Sequence, residues 1–329
     1  MLTTVLGTTS LTSSVIGFGC SALLGRTGRK DSLRALAAAW DAGITFYDTA
    51  RSYGYGESEA LLGEFLRTRR DQAIISTKFG ILPARQQLWK RAAKPVARAL
   101  LSLAPSSRNM LRKQVAGQFT PNQFTVGVLE QSIHESLRKL KTDYVDFLFM
   151  HDAPASVLHQ DELLAKLDQL VASGKVRVAG ISAAPEVIGL VLREHPKALR
   201  ALQFPCNVFD LSTADVAAAA KGSGLAAVAN HPFGGVTRVE QSRAILKNIA
   251  SSSSTPAELR AKLETVDDAV LADVVLNIIL SSPGIHVVVP AMMKPSHLNN
   301  NVNAVAKSRF TSDEIRLLYQ HVAAVESVA

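Results

Sequence analysis

Cysteine is scarce in this chain, acidic residues are missing from one long stretch, and no hydrophobic run is long. The 329 residues contain only Cys20 and Cys206. These lie far apart and lack the spacing of metal ligands, which argues against a disulfide framework or a cysteine zinc site. Reduced thiols buried inside strands, in a reducing cytoplasmic setting, are the expectation. No segment reaches the ~18 apolar residues of a spanning helix. The opening Met1-Leu2-Thr3-Thr4-Val5-Leu6-Gly7 lacks the charged region and following apolar stretch of an export signal. Neither export nor membrane crossing is expected.

The missing acids explain the net charge of +8. Residues 79–124 hold Arg85, Lys90, Arg91, Lys94, Arg98, Arg108, Arg112 and Lys113 with no Asp or Glu. Those eight match the whole excess, so the basicity belongs to one segment and the remainder is balanced. Within it Leu88, Ala92, Val96, Leu100 and Leu103 share a helical face, Lys90, Lys94 and Arg98 another, and Pro95 interrupts both. The expectation is a lid-like insertion with a solvated basic side. A cationic lid drawing anionic substrate, and an anionic membrane-surface contact through residues 85–113 that Trp89 would suit, compete with it. No recognition motif accompanies the charge, so nucleic acid is not expected.

What the chain does have is alternation. With 47% apolar and 19% charged residues it can bury a large core. A hairpin over residues 3–20, turning at Gly7, leads into a first strand at 15–20, and a helix opens at Asp31-Ser32 and stops at Gly43. Strands then follow at 44–49, 73–77, 143–150, 176–182, 202–207, 225–230 and 285–290. Helices are expected at 58–67, 126–140, 161–173, from Pro185, and at 213–221, and Ser251-Ser252-Ser253-Ser254-Thr255-Pro256 breaks a long helical region. Eight short, non-alternating strands separated by helices point to a parallel sheet closed into a (β/α)8 barrel, one α/β domain over 1–329. An open doubly wound sheet would need a glycine-rich phosphate loop. Gly17-Phe18-Gly19-Cys20-Ser21-Ala22 keeps only its first two glycines.

Barrel chemistry sits at the C-terminal ends of strands. There Asp48 ends the second strand, Lys78 the third and His151 the fourth, and Tyr53 hangs in the glycine-rich loop after Asp48. A tyrosine with its ordinary pKa of ~10 needs help to act as an acid near neutrality. A lysine ammonium favours the phenolate, a buried carboxylate keeps that ammonium charged, and a histidine can orient a carbonyl oxygen. The set suits carbonyl reduction and lacks the parts for metal hydrolysis or acyl transfer, so no metal is expected.

Gly43-Ile44-Thr45-Phe46-Tyr47-Asp48-Thr49-Ala50 with Tyr53 and Gly56-Glu57-Ser58-Glu59, then Ser76-Thr77-Lys78, then Asp146-Phe147-Leu148-Phe149-Met150-His151 resemble the aldo-keto reductase family over nearly the full chain. The resemblance implies a nicotinamide dinucleotide across the barrel mouth and reversible reduction of an aldehyde, ketone or aldose-like small molecule. It makes Tyr53 the acid, Lys78 and Asp48 its tuning pair, and His151 the substrate orienter. It also implies cofactor contacts at Ser182, Gln203, Phe233, Gly234, Pro290, Lys294, His297 and Asn301. The chain departs from the family pattern at Ala183, where an asparagine is common, and at Asn230, where many members stack an aromatic on the nicotinamide. Lys294 and His297 are the cations available for a 2′-phosphate, and Arg would read one better; the family favours NADP over NAD. Some barrels of this family serve as cofactor-sensing or assembly subunits, which is the alternative reading.

Overall fold

The computed structural model describes residues 1–25, 27–83, 119–120, 123–207 and 211–326. Twelve strands occur among them: β1 (Thr3–Val5), β2 (Thr12–Ser14), β3 (Gly17–Gly19), β4 (Phe46–Asp48), β5 (Ile74–Phe79), β6 (Leu82–Pro83), β7 (Phe119–Thr120), β8 (Val145–His151), β9 (Val176–Ser182), β10 (Ala201–Pro205), β11 (Ala226–Asn230) and β12 (Val287–Val289). Eight of them form one sheet in the order β3-β4-β5-β8-β9-β10-β11-β12, every pair parallel. Its two edges meet through an Ile16–Val288 parallel bridge and the Gly19 N–H donating to Pro290 O at 3.1 Å. The result is the expected (β/α)8 barrel, with helices between the strands.

Strand alternation fixes what faces inward. Phe46, Ile74, Phe147, Phe149, Val178, Ala201, Ala226, Val228, Val287 and Val289 form the barrel's own core, and Leu6 and Leu11 of the β1–β2 hairpin join it. Phe147 and Phe149 stack with ring centroids 5.8 Å apart. The opposite parity, Tyr47, Ile75, Leu148, Ile181, Leu202, Ala227 and Val288, packs outward against the helices. Each buried large side chain there contributes about 1.5–3 kcal/mol. The interior is therefore filled, and chemistry is confined to its upper rim.

Several boundaries moved. Lys78, expected to end its strand, lies inside β5, because pairing with β8 continues through Lys78–Phe149 and Phe79–Met150. The first helix begins at Arg29 and runs to Asp41. Both cysteines were expected inside strands. Cys20 instead opens a short 3-10 turn after β3, and Cys206 lies just past β10, where its N–H reaches Asn230 O. Both are buried, and neither forms a disulfide among the described residues. The serine-rich break holds, separating the helices Val236–Ser251 and Ala257–Lys262.

The expected insertion begins and returns through the antiparallel pair β6–β7. The helical faces expected at 88–103, and the lid and membrane-contact readings of 85–113, lie outside the described residues. Among the described residues, no helix is long and apolar enough to cross a membrane.

Candidate active site

Continuing the inward parity one layer above the apolar core leads to a ring of polar residues: Asp48 on β4, Ser76 and Lys78 on β5, His151 on β8, Ser182 on β9, Gln203 on β10 and Asn230 on β11. Register brings neighbours level, with Asp48 beside Ser76, His151 beside Ser182, and Ser182 beside Gln203.

Lys78 is 1% exposed and Asp48 4%. The ammonium has three hydrogens to place. Nζ donates to Asp48 Oδ2 at 2.6 Å, to Thr49 O at 3.0 Å and to Tyr53 Oη at 3.4 Å. The other Asp48 oxygen accepts from Ser76 Oγ at 2.8 Å and Gln203 Nε2 at 2.9 Å. Gln203 Oε1 accepts in turn from Ser182 Oγ at 2.9 Å. One hydrogen-bonded chain thus runs from β9 through β10 and the ion pair to the Tyr53 phenol. His151 completes the set, its ring edge-on to Tyr53 at 5.7 Å between centroids. The structure brings all four expected residues together.

Tyr53 owes its place to a tight 3-10 turn, Tyr53–Gly56, in which Gly54 and Tyr55 adopt φ of 58° and 59°. A side chain on Gly54 would lie 2.5 Å from Leu23 O, so glycine is required there. Tyr55 has no such excuse. Left-handed backbone at a non-glycine residue costs on the order of 1 kcal/mol and tends to gather at functional sites. Leu24, Tyr55, Asp152 and His231 all adopt it, each in the loop following a barrel strand.

Burial sets the electrostatics. It raises the Tyr53 pKa above the ordinary phenol value, with Lys78 pulling the other way but not prevailing. The lysine expected to favour the phenolate is outweighed by desolvation of the half-buried phenol. Burial also opposes the Lys78 charge, yet Asp48 and Tyr53 outweigh it and hold its pKa above normal. Burial, then Lys78, pushes His151 down to about 3, so its imidazole is neutral. Burial and Asp48 drive the Cys20 thiol well up, leaving it unreactive.

The expected cofactor residues follow an arc from β9 to the segment after β12. Ser182 and Gln203 are turned toward each other and Asp48. Phe233, half-buried, and Gly234, at φ 61°, lie in the turn after β11. Pro290 closes the barrel against Gly19, and Lys294, exposed, caps the helix Pro295–Ala306, which carries His297 and the buried Asn301. Ala183 is buried, its N–H donating to Gln203 O at 3.0 Å. Two polar atoms on the inward ring, His151 Nδ1 and Asn230 Oδ1, are buried with no hydrogen-bond partner among the described residues.

The sequence reading missed what holds Asp48. Ser76 was noted only as a neighbour of Lys78, although its position two residues earlier on a strand already put it on the same face. Glu59, quoted only as part of the motif that carries the resemblance, is a buried carboxylate whose role the sequence does not show, because it reads there as an ordinary acid in a helix's first turn.

A model of the Aldo/keto reductase family matches residues 15–323. An uncharacterized oxidoreductase of Bacillus subtilis, YqkF, is 25% identical over 325 residues, covering 96% of this chain and 95% of that protein. The D-threo-aldose 1-dehydrogenase of a Pseudomonas species is 33% identical over 171 residues, which cover 50% of this chain and 46% of that one. In fold, the chain is similar to the holo form of an aldo-keto reductase from Bacillus halodurans, with a TM-score of 0.72 at 22% identity over 100% of this chain and 97% of that one.

Proposed function

The chain belongs to the aldo/keto reductase family and is a nicotinamide-dependent carbonyl reductase, and from that premise we propose that Tyr53 is its general acid in reduction and its general base in oxidation. The observation that carries this is the continuous contact from Asp48 through Lys78 to the Tyr53 hydroxyl.

The residues at the mouth fit a nicotinamide dinucleotide. His151 Nδ1 and Asn230 Oδ1 are buried polar atoms in want of a partner, and leaving such groups unmatched costs about 1–3 kcal/mol each. Ser182, Gln203, Phe233, Gly234, Pro290, Lys294, His297 and Asn301 would hold the dinucleotide, and the phosphorylated form is preferred, with Lys294 and His297 meeting its 2′-phosphate. When bound, the cofactor supplies a hydride to the carbonyl carbon.

The chain's own residues do the rest. Tyr53 gives its phenolic proton to the carbonyl oxygen as the C–O π pair moves onto that oxygen. The phenolate left behind is balanced by the Lys78 ammonium, which Asp48 keeps charged and aimed. His151, neutral, positions the carbonyl oxygen as a hydrogen-bond donor through its ring N–H without competing for the proton. Oxidation of an alcohol runs the same transfers backwards.

Small aldehydes, ketones and aldose-like molecules are the proposed substrates, in keeping with the resemblance to an aldose dehydrogenase. Buried thiols outside any disulfide suit a reducing cytoplasm, and we treat 1–329 as one domain. The departures at Ala183 and Asn230 motivate a second reading, a nicotinamide-binding sensor or assembly subunit with slow chemistry. Turnover of a small-aldehyde panel by the unaltered protein decides between them, and Tyr53→Phe tests the acid. In that variant turnover should fall by ~10²–10⁴-fold while cofactor affinity, read by fluorescence, stays within about twofold. Retained turnover would sink the assignment of Tyr53, and tight cofactor binding by the unaltered protein with no turnover across the panel favours the sensor.

A further inference from the structure

We propose that Glu59 and Arg51 are positioning residues that lock the Tyr53 turn to the Lys78 strand from outside the barrel. The proposal rests on the reading of Tyr53 as the acid.

Glu59 is 1% exposed and lies in the first turn of the helix Ser58–Phe65, which starts two residues beyond the Tyr53–Gly56 turn. Its Oε1 accepts from Thr77 Oγ1 at 2.7 Å and from Ser136 Oγ at 2.6 Å. Thr77 immediately precedes Lys78, and alternation along β5 sends Thr77 outward as Lys78 points in. Glu59 thus grips the strand from its outer face, without touching reactants. Arg51, two residues before Tyr53, is 7% exposed, and its Nε stands 3.8 Å from Glu59 Oε2. Its Nη1 donates to Ser132 O at 3.3 Å, and its backbone N–H to Lys78 O at 3.4 Å. At the other end of the turn Lys139 Nζ donates to Gly56 O at 2.8 Å. Ser132, Ser136 and Lys139 all belong to the helix Val126–Leu140, so one helix holds both ends of the turn and shares the Glu59 carboxylate with β5.

Stability alone does not account for this arrangement. Removing two charges from water costs several kcal/mol each, and only close hydrogen-bonded geometry recovers it. At 3.8 Å, with Arg51 Nε and Glu59 Oε2 making no hydrogen bond among the described residues, the pair is far from that geometry. What the charged pair adds is a fixed position, in two directions, for the segment that carries the acid. The distance it governs is the 3.4 Å from Lys78 Nζ to Tyr53 Oη, and a misplacement near 1 Å costs roughly 100-fold in rate.

The test uses the full chain with Thr77→Val, Thr77→Ser and Glu59→Gln, reading kcat, carbonyl KM, fluorescence affinity for reduced cofactor, and thermal unfolding. Thr77→Val and Glu59→Gln should lower kcat roughly 10- to 100-fold with cofactor affinity within about twofold, and Thr77→Ser, which keeps the hydroxyl, should restore kcat. A folded Thr77→Val with kcat within about twofold of the parent overturns the proposal, as does Thr77→Ser falling as far as Thr77→Val. Should Glu59→Gln fail to fold, the Thr77 pair decides, since both variants leave the charges in place. Retained turnover in Tyr53→Phe removes the reading beneath the proposal; an inactive Tyr53→Phe beside an active Thr77→Val removes the positioning role alone.

Discussion

Lys78 Nζ stands 2.6 Å from Asp48 Oδ2, with both side chains nearly sealed from solvent. Lys78→Met would leave Asp48 buried with the Ser76 and Gln203 hydrogen bonds but no counter-charge. The expected cost is about 3–5 kcal/mol of stability and ~10²–10⁴-fold in turnover. Adding Asp48→Asn should recover most of the stability and none of the turnover, because it removes the orphaned charge without restoring a cation beside Tyr53. Denaturant unfolding and steady-state kinetics on the single and double variants separate the two losses. Turnover recovered along with stability would mean the pair is structural only.

His151 supplies a pH test. Its pKa falls from 6.5 to about 3 on burial beside Lys78. The unfolded chain therefore binds a proton that the folded chain refuses between those values, and folding weakens as pH drops through that window. From pH 7 to pH 5 the loss from this group is about 2 kcal/mol. Urea unfolding at the two pH values should show it for the parent and not for His151→Gln. An equal loss in both proteins would place its cause elsewhere.

The same burial predicts a flat rate profile. Tyr53 lies above its ordinary pKa and Lys78 above its own, so neither titrates near neutrality in the free enzyme. Carbonyl reduction, followed as kcat/KM, should stay level from about pH 6 to about pH 9 and decline only beyond. A descending limb centred near pH 7 would show that a different group, or a much more solvated Tyr53, gives up the proton.

How much of this could be read in the sequence follows from where each signal resides. Asp48, Lys78 and His151 announce themselves because each sits where an apolar run gives way to a charge or a ring, and that is where barrel chemistry gathers. The helix at 126–140 was legible to the residue, since its apolar spacing is strong and Thr125 caps it. Lys78 was misplaced by the end of its strand, because strand length depends on the partner: β8 extends the pairing to Phe79. The direction of the Tyr53 shift was misread for a similar reason. A neighbouring lysine is visible in sequence, whereas the burial that outweighs it arises only from the assembled turn. The role of Glu59, a residue visible only as part of a motif, was hidden most completely, as its partners Thr77 and Ser136 are 18 and 77 residues away.

Gly63 tests the packing beneath the site. It lies in the helix Ser58–Phe65, and a Cβ there would come within 2.4 Å of Leu140 O at the end of the helix Val126–Leu140. Alanine normally stabilises a helix interior by up to ~1 kcal/mol relative to glycine. Here the backbone it meets cannot step aside, so Gly63→Ala should instead destabilise by about 1–3 kcal/mol. Forcing these two helices apart should also lower kcat, because Glu59 reaches Ser136 across the same seam at 2.6 Å. Gly189→Ala, mid-helix where the nearest neighbour is the flexible end of Arg193 at 3.5 Å, is the control and should stabilise by roughly 0.5–1 kcal/mol with kcat unaltered. Denaturant midpoints and kcat for the two alanines test the argument together. Gly63→Ala as stable and active as Gly189→Ala would show that the seam yields, and that the spacing of these helices does not govern the Tyr53 turn.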